Sequence, residues 1–166
     1  MLYLLDANVL IDANRDYYPI ARVPEFWEWL EYKGADGSVK IPIEVHDEIK
    51  QGTDDLSRWA KERRVEQALL LREEADVSMV SLVIDRGYAT DLDDSEVEKI
   101  GRDPFLIAYA LIMPTDRCVV TTERSKPSQL RANRHIPDVC SALGLLCCDT
   151  FGFVRQLDFK TNWRSP

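Results

Sequence analysis

The chain has 166 residues, of which 45% are hydrophobic and 30% are charged. This length and apolar content suit one globular domain with a full core, and they exclude an intrinsically disordered chain. The formal net charge of −8 argues against broad electrostatic coating of nucleic acid. The charge is uneven, because residues 117–166 contain eight basic and four acidic side chains whereas residues 1–116 contain thirteen and twenty-five. A local basic surface near the end of the sequence is therefore compatible with a nucleic-acid partner.

No apolar run approaches the roughly 20 residues that are needed to cross a bilayer. The first residues, MLYLLDANVLID, lack the basic flank and the small-residue cleavage site that are typical of a signal peptide. We therefore expect a cytoplasmic protein that does not span a membrane.

The first half of the chain alternates short apolar runs with helical patterns. Residues 3–5 predict a strand that leads into a helix start, and Pro24 opens a helix with a broad apolar face. Trp27 and Trp29 cannot both point inward on one narrow helix face, so one of them is a candidate for a subunit contact in a homodimer. Residues 39–41 predict a second strand, which is followed by another helix.

The second half continues this alternation. Residues 55–87 predict two or three helices, and Asp103 is expected to be the N-cap of a further helix that has Pro104 at its first position. Residues 118–121 predict a third strand and residues 145–148 a fourth. The pattern predicts an α/β protein, a three-layer α/β/α domain with a mostly parallel central sheet. Because no linker or repeat interrupts it, residues 1–166 are expected to form a single domain.

Four carboxylates are expected at the carboxyl edge of this sheet, where open parallel sheets bind ligands. They follow the strands or begin a helix that leads into one, and they are Asp6, Glu44, Asp103 and Glu123. Two such charges about 5 Å apart repel by roughly 3 kcal/mol at an effective dielectric of about 20, so a cation should neutralise them. Oxygen ligands without His or Cys favour Mg²⁺ or Mn²⁺, and these ions suit phosphodiester hydrolysis.

Each acid also has a structural alternative. Asp6 could be a turn residue, and Asp103 could act only as a helix cap, which contributes about 1 kcal/mol. Glu44 lies beside Asp47 and Glu48, so it could belong to an exposed acidic helix face.

A polar and basic loop follows Glu123 directly. We expect it to bind an RNA backbone beside the acids through Arg124, Lys126, Arg131 and Arg134. The alternative is an ordinary solvated loop. The Trp and Tyr residues are expected in the core rather than in a base-stacking platform.

Four segments resemble, in their order and spacing, the four motifs of the PIN domain family, metal-dependent ribonucleases that include many bacterial VapC-type toxins. The segments are LLDANVLID, IPIEV, GRDPFLIAYAL and VVTTE. The resemblance extends from Tyr3 to about Leu157. The fourth segment departs from the usual family motif, because it has Glu123 where the family most often has Asp. The long basic tail is similar to that of a PIN-like branch.

The resemblance implies that Asp6, Asp103 and Glu123 ligate the metal, that Glu44 completes the catalytic set and that Asn8 orients a neighbouring carboxylate. The implied activity is that of a Mg²⁺- or Mn²⁺-dependent endoribonuclease, the toxin of a toxin–antitoxin pair, with RNA as substrate and an antitoxin as partner. Two alternatives stay open. One is a catalytically inactive regulatory or RNA-binding protein, and the other is a phosphodiesterase that acts on DNA.

Overall fold

A parallel sheet of four strands forms the centre of the molecule. The structure is a computed structural model, and it describes residues 1–164. The sheet order is β2-β1-β3-β4, and every neighbouring pair is parallel. The strands are β1 (Leu2–Leu5), β2 (Val39–Lys40), β3 (Arg117–Val120) and β4 (Leu146–Cys148). The α/β class and the parallel sheet predicted from the alternating pattern are confirmed.

Ten α-helices flank the sheet within residues 1–164. They are α1 (Ala7–Asp12), α2 (Pro24–Ala35), α3 (Ile43–Lys50), α4 (Asp55–Ala60), α5 (Arg63–Leu69), α6 (Val77–Val83), α7 (Asp94–Ile100), α8 (Asp103–Leu111), α9 (Ile136–Leu143) and α10 (Thr150–Gln156). Two π-helical turns, Ala13–Tyr17 and Ile84–Tyr88, continue α1 and α6. None of the helices in this part of the chain is both long and apolar enough to span a bilayer.

Two layers of helices enclose the sheet. In one layer, the ring of Phe153 on α10 lies 5.4 Å from Tyr3 of β1 and 5.7 Å from Trp29 of α2. In the other layer, α8 packs on β1 and β3. The apolar side chains of both sheet faces are thereby removed from water, which gives the three-layer α/β/α arrangement.

Both Trp27 and Trp29 lie in the core, each with an exposed fraction of 2%. Trp27 donates a hydrogen bond from Nε1 to the backbone oxygen of Tyr18 at 2.7 Å, and its ring lies 4.7 Å from that of Trp59 on α4. The prediction that one of the two Trp residues forms a subunit contact is therefore wrong. Helix α2 packs on β2 of the sheet and also on the neighbouring helices α4 and α5. Its buried face is therefore wider than the sequence pattern indicated.

Helix α8 begins one residue earlier than predicted. Asp103 is its first helical residue, and Arg102 occupies the N-cap position without a side-chain capping hydrogen bond. The expectation that Asp103 caps this helix is therefore wrong. Its carboxylate is free to take part in the site at the sheet edge.

The direction in which successive strands are added to the sheet reverses between β1 and β3. From β1 the chain crosses first to β2 on one side, and it later reaches β3 on the other side. The carboxyl ends of these two neighbouring strands lie side by side, and the crossover helices lead away from them in opposite directions. In open α/β sheets this is the position at which ligands bind.

Candidate active site

Asp6 joins the ends of the two central strands. It follows β1 directly, is 5% exposed, and its backbone N–H donates to the oxygen of Val120 at the end of β3 at 3.0 Å. Its side-chain Oδ2 accepts a hydrogen bond from Thr121 Oγ1 at 2.9 Å. The local pattern of an apolar strand followed directly by Asp therefore places a buried carboxylate where the strand order reverses.

The surroundings of Asp6 favour its neutral form. Burial raises the pKa of Asp6 to about 6, and the charges of Glu123 and Glu48 act in the same direction. The hydrogen bond from Thr121 and the nearby backbone N–H of Asn8 oppose this rise in pKa. Asn8 was predicted to orient a carboxylate through its side chain, whereas the contact that acts on Asp6 is a backbone one. The orienting side chain is that of Thr121.

Asp103 faces the same site from the first turn of α8. Burial raises its pKa to about 8, and the charges of Asp6, Glu123 and Glu48 add to that effect. No basic side chain is among the groups that shift the pKa of Asp6 or Asp103 within residues 1–164. We refer to Asp6, Glu48, Asp103 and Glu123 as the acid cluster.

Glu123 is held by the backbone of α9. Its Oε2 accepts a hydrogen bond from the N–H of Ile136 at 2.7 Å and lies 3.9 Å from Nδ1 of His135. Its own backbone N–H donates to Thr121 Oγ1 at 3.2 Å. One threonine hydroxyl thus contacts both Asp6 and Glu123, and the side chain of Glu123 remains 30% exposed.

The two carboxylates of α3, Glu44 and Glu48, have different surroundings. The side chain of Glu44 lies at the Tyr109 end of α8, where its Oε1 accepts from the Tyr109 hydroxyl at 3.4 Å. Tyr109 follows Asp103 by six residues in α8, which corresponds to about 9 Å along the helix axis at about 1.5 Å per residue. Glu48 is the α3 carboxylate whose charge acts on Asp6 and Asp103. Glu48 lies one turn after Glu44 on the same helix face, so helix periodicity alone does not distinguish the two positions.

The basic loop divides into two parts. Arg131 forms ion pairs with Asp91 and Glu96, both at 2.7 Å. Arg134 donates hydrogen bonds to the backbone oxygens of Gly87 and Asp138. These two residues therefore hold the loop against α7 and the second π-helical turn, contrary to the expectation of free RNA-binding side chains.

The remaining two residues of the predicted RNA-binding set, Arg124 and Lys126, are exposed. Arg124 follows Glu123 directly, and both residues line one cavity of about 820 Å³. The basic surface beside the acid cluster is thus smaller than predicted, since it contains two side chains of the four.

The acid cluster contains the oxygen donors that a hard divalent cation prefers. Within residues 1–164, however, no three His, Cys, Asp or Glu side chains are arranged so that they could hold one metal ion. A cation would have to draw the carboxylates of Asp6, Asp103 and Glu123 closer together. Burial and like charges raise the pKa values of Asp6 and Asp103, because both penalise the ionised carboxylates. A bound cation would offset that penalty.

One family model matches the chain. It is described as a domain of unknown function, DUF4411, and it covers residues 3–161, which include all members of the acid cluster. No curated protein and no solved structure matched significantly. The chain therefore belongs to the DUF4411 family.

Proposed function

We propose that the protein is a Mg²⁺- or Mn²⁺-dependent nuclease that hydrolyses phosphodiester bonds in RNA. The observation that carries this proposal is the acid cluster at the carboxyl ends of β1 and β3, where two carboxylates have raised pKa values without a basic partner. A buried group of like charges is costly unless an ion or a substrate compensates it. Such a cost at a ligand-binding edge favours a functional site over a structural one.

The residues of the site have distinct tasks in this proposal. Asp6, Asp103 and Glu123 would hold the ion, and Glu48 would add negative charge at the exposed side of the cluster. When bound, Mg²⁺ or Mn²⁺ supplies Lewis acidity, which favours ionisation of water and stabilises charge on a phosphate. Thr121 fixes the orientation of Asp6, and the N–H of Ile136 fixes that of Glu123. These contacts would keep the carboxylates in place as charge develops on the substrate.

The preference for RNA and the toxin role depend on the resemblance to the PIN motifs. It is supported by three elements that lie within the resembling segments, namely the strand before Asp6, the helix that begins at Asp103 and the strand before Glu123. A toxin of this class would have an antitoxin as its partner. Both roles are proposals for this chain.

Cleavage assays test the proposed function. Wild type should cleave labelled single-stranded RNA with Mg²⁺ or Mn²⁺ and not in EDTA. The substitution Asp6→Asn should lower the rate by about 100-fold or more, since even the partners of metal ligands typically contribute about 10- to 100-fold. The exposed Asp85 provides the matched control, because Asp85→Asn leaves the acid cluster unchanged.

Each other outcome has a definite meaning. Equal rates for wild type and Asp6→Asn would contradict the proposed site. Cleavage of DNA alone would assign the protein to the DNA-directed phosphodiesterases. RNA binding without cleavage under any of these conditions would identify an inactive RNA-binding protein.

A further inference from the structure

Two cavities meet at the acid cluster. A cavity of about 310 Å³ is lined by residues that include Tyr88, Lys99 and Asp103. A larger cavity of about 820 Å³ is lined by residues that include Tyr17, Arg124 and Phe151. Glu123 lines both cavities, so one proposed metal ligand borders each of them.

The smaller cavity is polar and contains basic side chains. Lys99 donates from Nζ to Oδ1 of Asn133 at 2.5 Å, and Arg134 donates only to backbone oxygens, so neither cation is paired with a carboxylate in these contacts. Tyr88 is 7% exposed, and its buried hydroxyl has no hydrogen-bond partner. Positive charge combined with an unsatisfied polar group is suited to a phosphate and the polar edge of a base.

The larger cavity exposes aromatic rings. Tyr17 and Phe151 are 47% and 45% exposed, and their ring centroids lie 5.2 Å apart in an edge-to-face arrangement. Thr150 beside them is 4% exposed, with a hydroxyl that has no partner. Exposed rings beside a cavity are the usual platform on which unpaired bases stack. The expectation that the Tyr residues lie in the core does not hold for Tyr17.

The local backbone supports a role for both cavities. Tyr17 is the last residue of the first π-helical turn and Tyr88 is the last residue of the second. Such turns are rare and occur frequently at functional sites. Each of these two turns places one tyrosine at one of the two cavities.

We propose that the two cavities are nucleotide subsites for one substrate strand that crosses Glu123, with one nucleotide in each cavity and a base stacked on the face of Phe151 beside Tyr17. This inference rests on the proposed function, and it assigns the residues that would hold the substrate on each side of that site. A duplex does not fit this description, because its bases are stacked on one another and present no free face to a protein ring. The strand enters the small cavity with its phosphate towards Lys99.

Binding measurements with a short labelled RNA test the strand path. The full chain with Asp6→Asn serves as the background, so that the probe is not cleaved. Adding Phe151→Ala should weaken binding of the single strand about fivefold or more, the lower end of what stacking on one ring contributes. Phe151→Trp should retain the affinity, because it keeps an aromatic face. Tyr32→Ala is the control, since Tyr32 is 53% exposed on α2 and lines neither cavity.

The same probe in a blunt duplex should bind more weakly than the single strand. Equal binding of the duplex and the single strand, or an unchanged Kd after Phe151→Ala, would overturn the strand path. Cleavage by wild type is measured in parallel. Cleavage together with an unchanged Kd would refute only this inference, whereas Phe151-dependent binding without any cleavage would refute only the proposed nuclease activity.

Discussion

At the scale of single residues, the acid cluster is set by what surrounds each carboxylate. Asp6 and Asp103 both have pKa values raised first by burial, and other members of the cluster raise them further. Thr121 has the opposite effect on Asp6, since its hydroxyl donates to the carboxylate and stabilises the ionised form. The site therefore combines groups that resist ionisation with one hydroxyl that favours it, as expected where a cation completes the charge balance.

The two acids of α3 give a direct residue-scale prediction. Glu48→Gln should lower the pKa of Asp103, because it removes one of the charges that raise it. It should also lower metal-dependent cleavage by about 10-fold or more, in line with losses seen at partners of metal ligands. Glu44→Gln is the matched control, since Glu44 contacts Tyr109 instead. Steady-state kinetics and NMR titration measure the two effects, and a larger loss for Glu44→Gln would reverse the assignment.

At the scale of elements, the second π-helical turn is packed closely against α9. A Cβ atom on Gly87 would lie 2.6 Å from Cγ1 of Val139. Arg134 also donates to the backbone oxygen of Gly87, so this turn links α6, α9 and the basic loop. Because Tyr88 is the last residue of this turn, the position of the turn determines where Tyr88 lies beside the smaller cavity.

We expect Gly87→Ala to lower the free energy of unfolding by about 1–3 kcal/mol, because overpacking a filled site forces neighbours to shift. Gly52→Ala provides the comparison, since its new Cβ would meet its nearest neighbours only at 3.4 Å. Denaturant unfolding with constant m-values would measure both changes. Equal stability of the two variants would show that Val139 can move at little cost.

The basic loop gives a second prediction at this scale. Arg124→Ala combined with Lys126→Ala should weaken binding of single-stranded RNA and reduce its log–log salt slope by about 1.4, at about 0.7 per phosphate contact. Lys61→Ala combined with Arg63→Ala removes two exposed charges from another surface and should leave the slope unchanged. Fluorescence anisotropy across a salt series measures both slopes. An unchanged slope in the first variant would make the loop an ordinary solvated surface.

For the whole molecule, the raised pKa values link stability to pH. Asp6 and Asp103 have pKa values of about 6 and about 8 in the folded state, against a reference value of 3.8. Between these limits the folded state binds more protons than the unfolded state, so the free energy of unfolding falls as pH rises. The contribution is fully present below pH 3.8 and is lost as pH passes through about 6 and then about 8.

Thermal unfolding in EDTA measures this effect as a fall in Tm from mildly acidic to mildly alkaline pH. Asp103→Asn should flatten the profile, because it removes the group with the higher pKa. At a hundredfold excess over its Kd, an ion that binds only the folded state adds about 2.7 kcal/mol, so Mn²⁺ should raise Tm by several degrees at neutral pH. Asp6→Asn should gain less from Mn²⁺ than wild type does. Equal gains would show that Asp6 is not part of a metal site.

The sequence alone was sufficient for features that depend on neighbouring residues. Short apolar runs between helical segments predict a parallel sheet, and a polar residue directly after such a run must lie at the carboxyl edge of that sheet. For this reason the sequence predicts Asp6 and Glu123 at this edge, and in the structure Asp6 directly follows β1 and Glu123 lies three residues after β3.

Only the tertiary structure decided between residues that the local pattern treats alike. Glu44 and Glu48 share one helix face, yet Glu44 contacts Tyr109 of α8 whereas the charge of Glu48 acts on Asp103. Likewise, Arg131 is taken up by Asp91 and Glu96, which lie 40 and 35 positions away in the chain. Helix periodicity determines which side chains point in the same direction, whereas contacts between distant segments determine which of them reaches a given site.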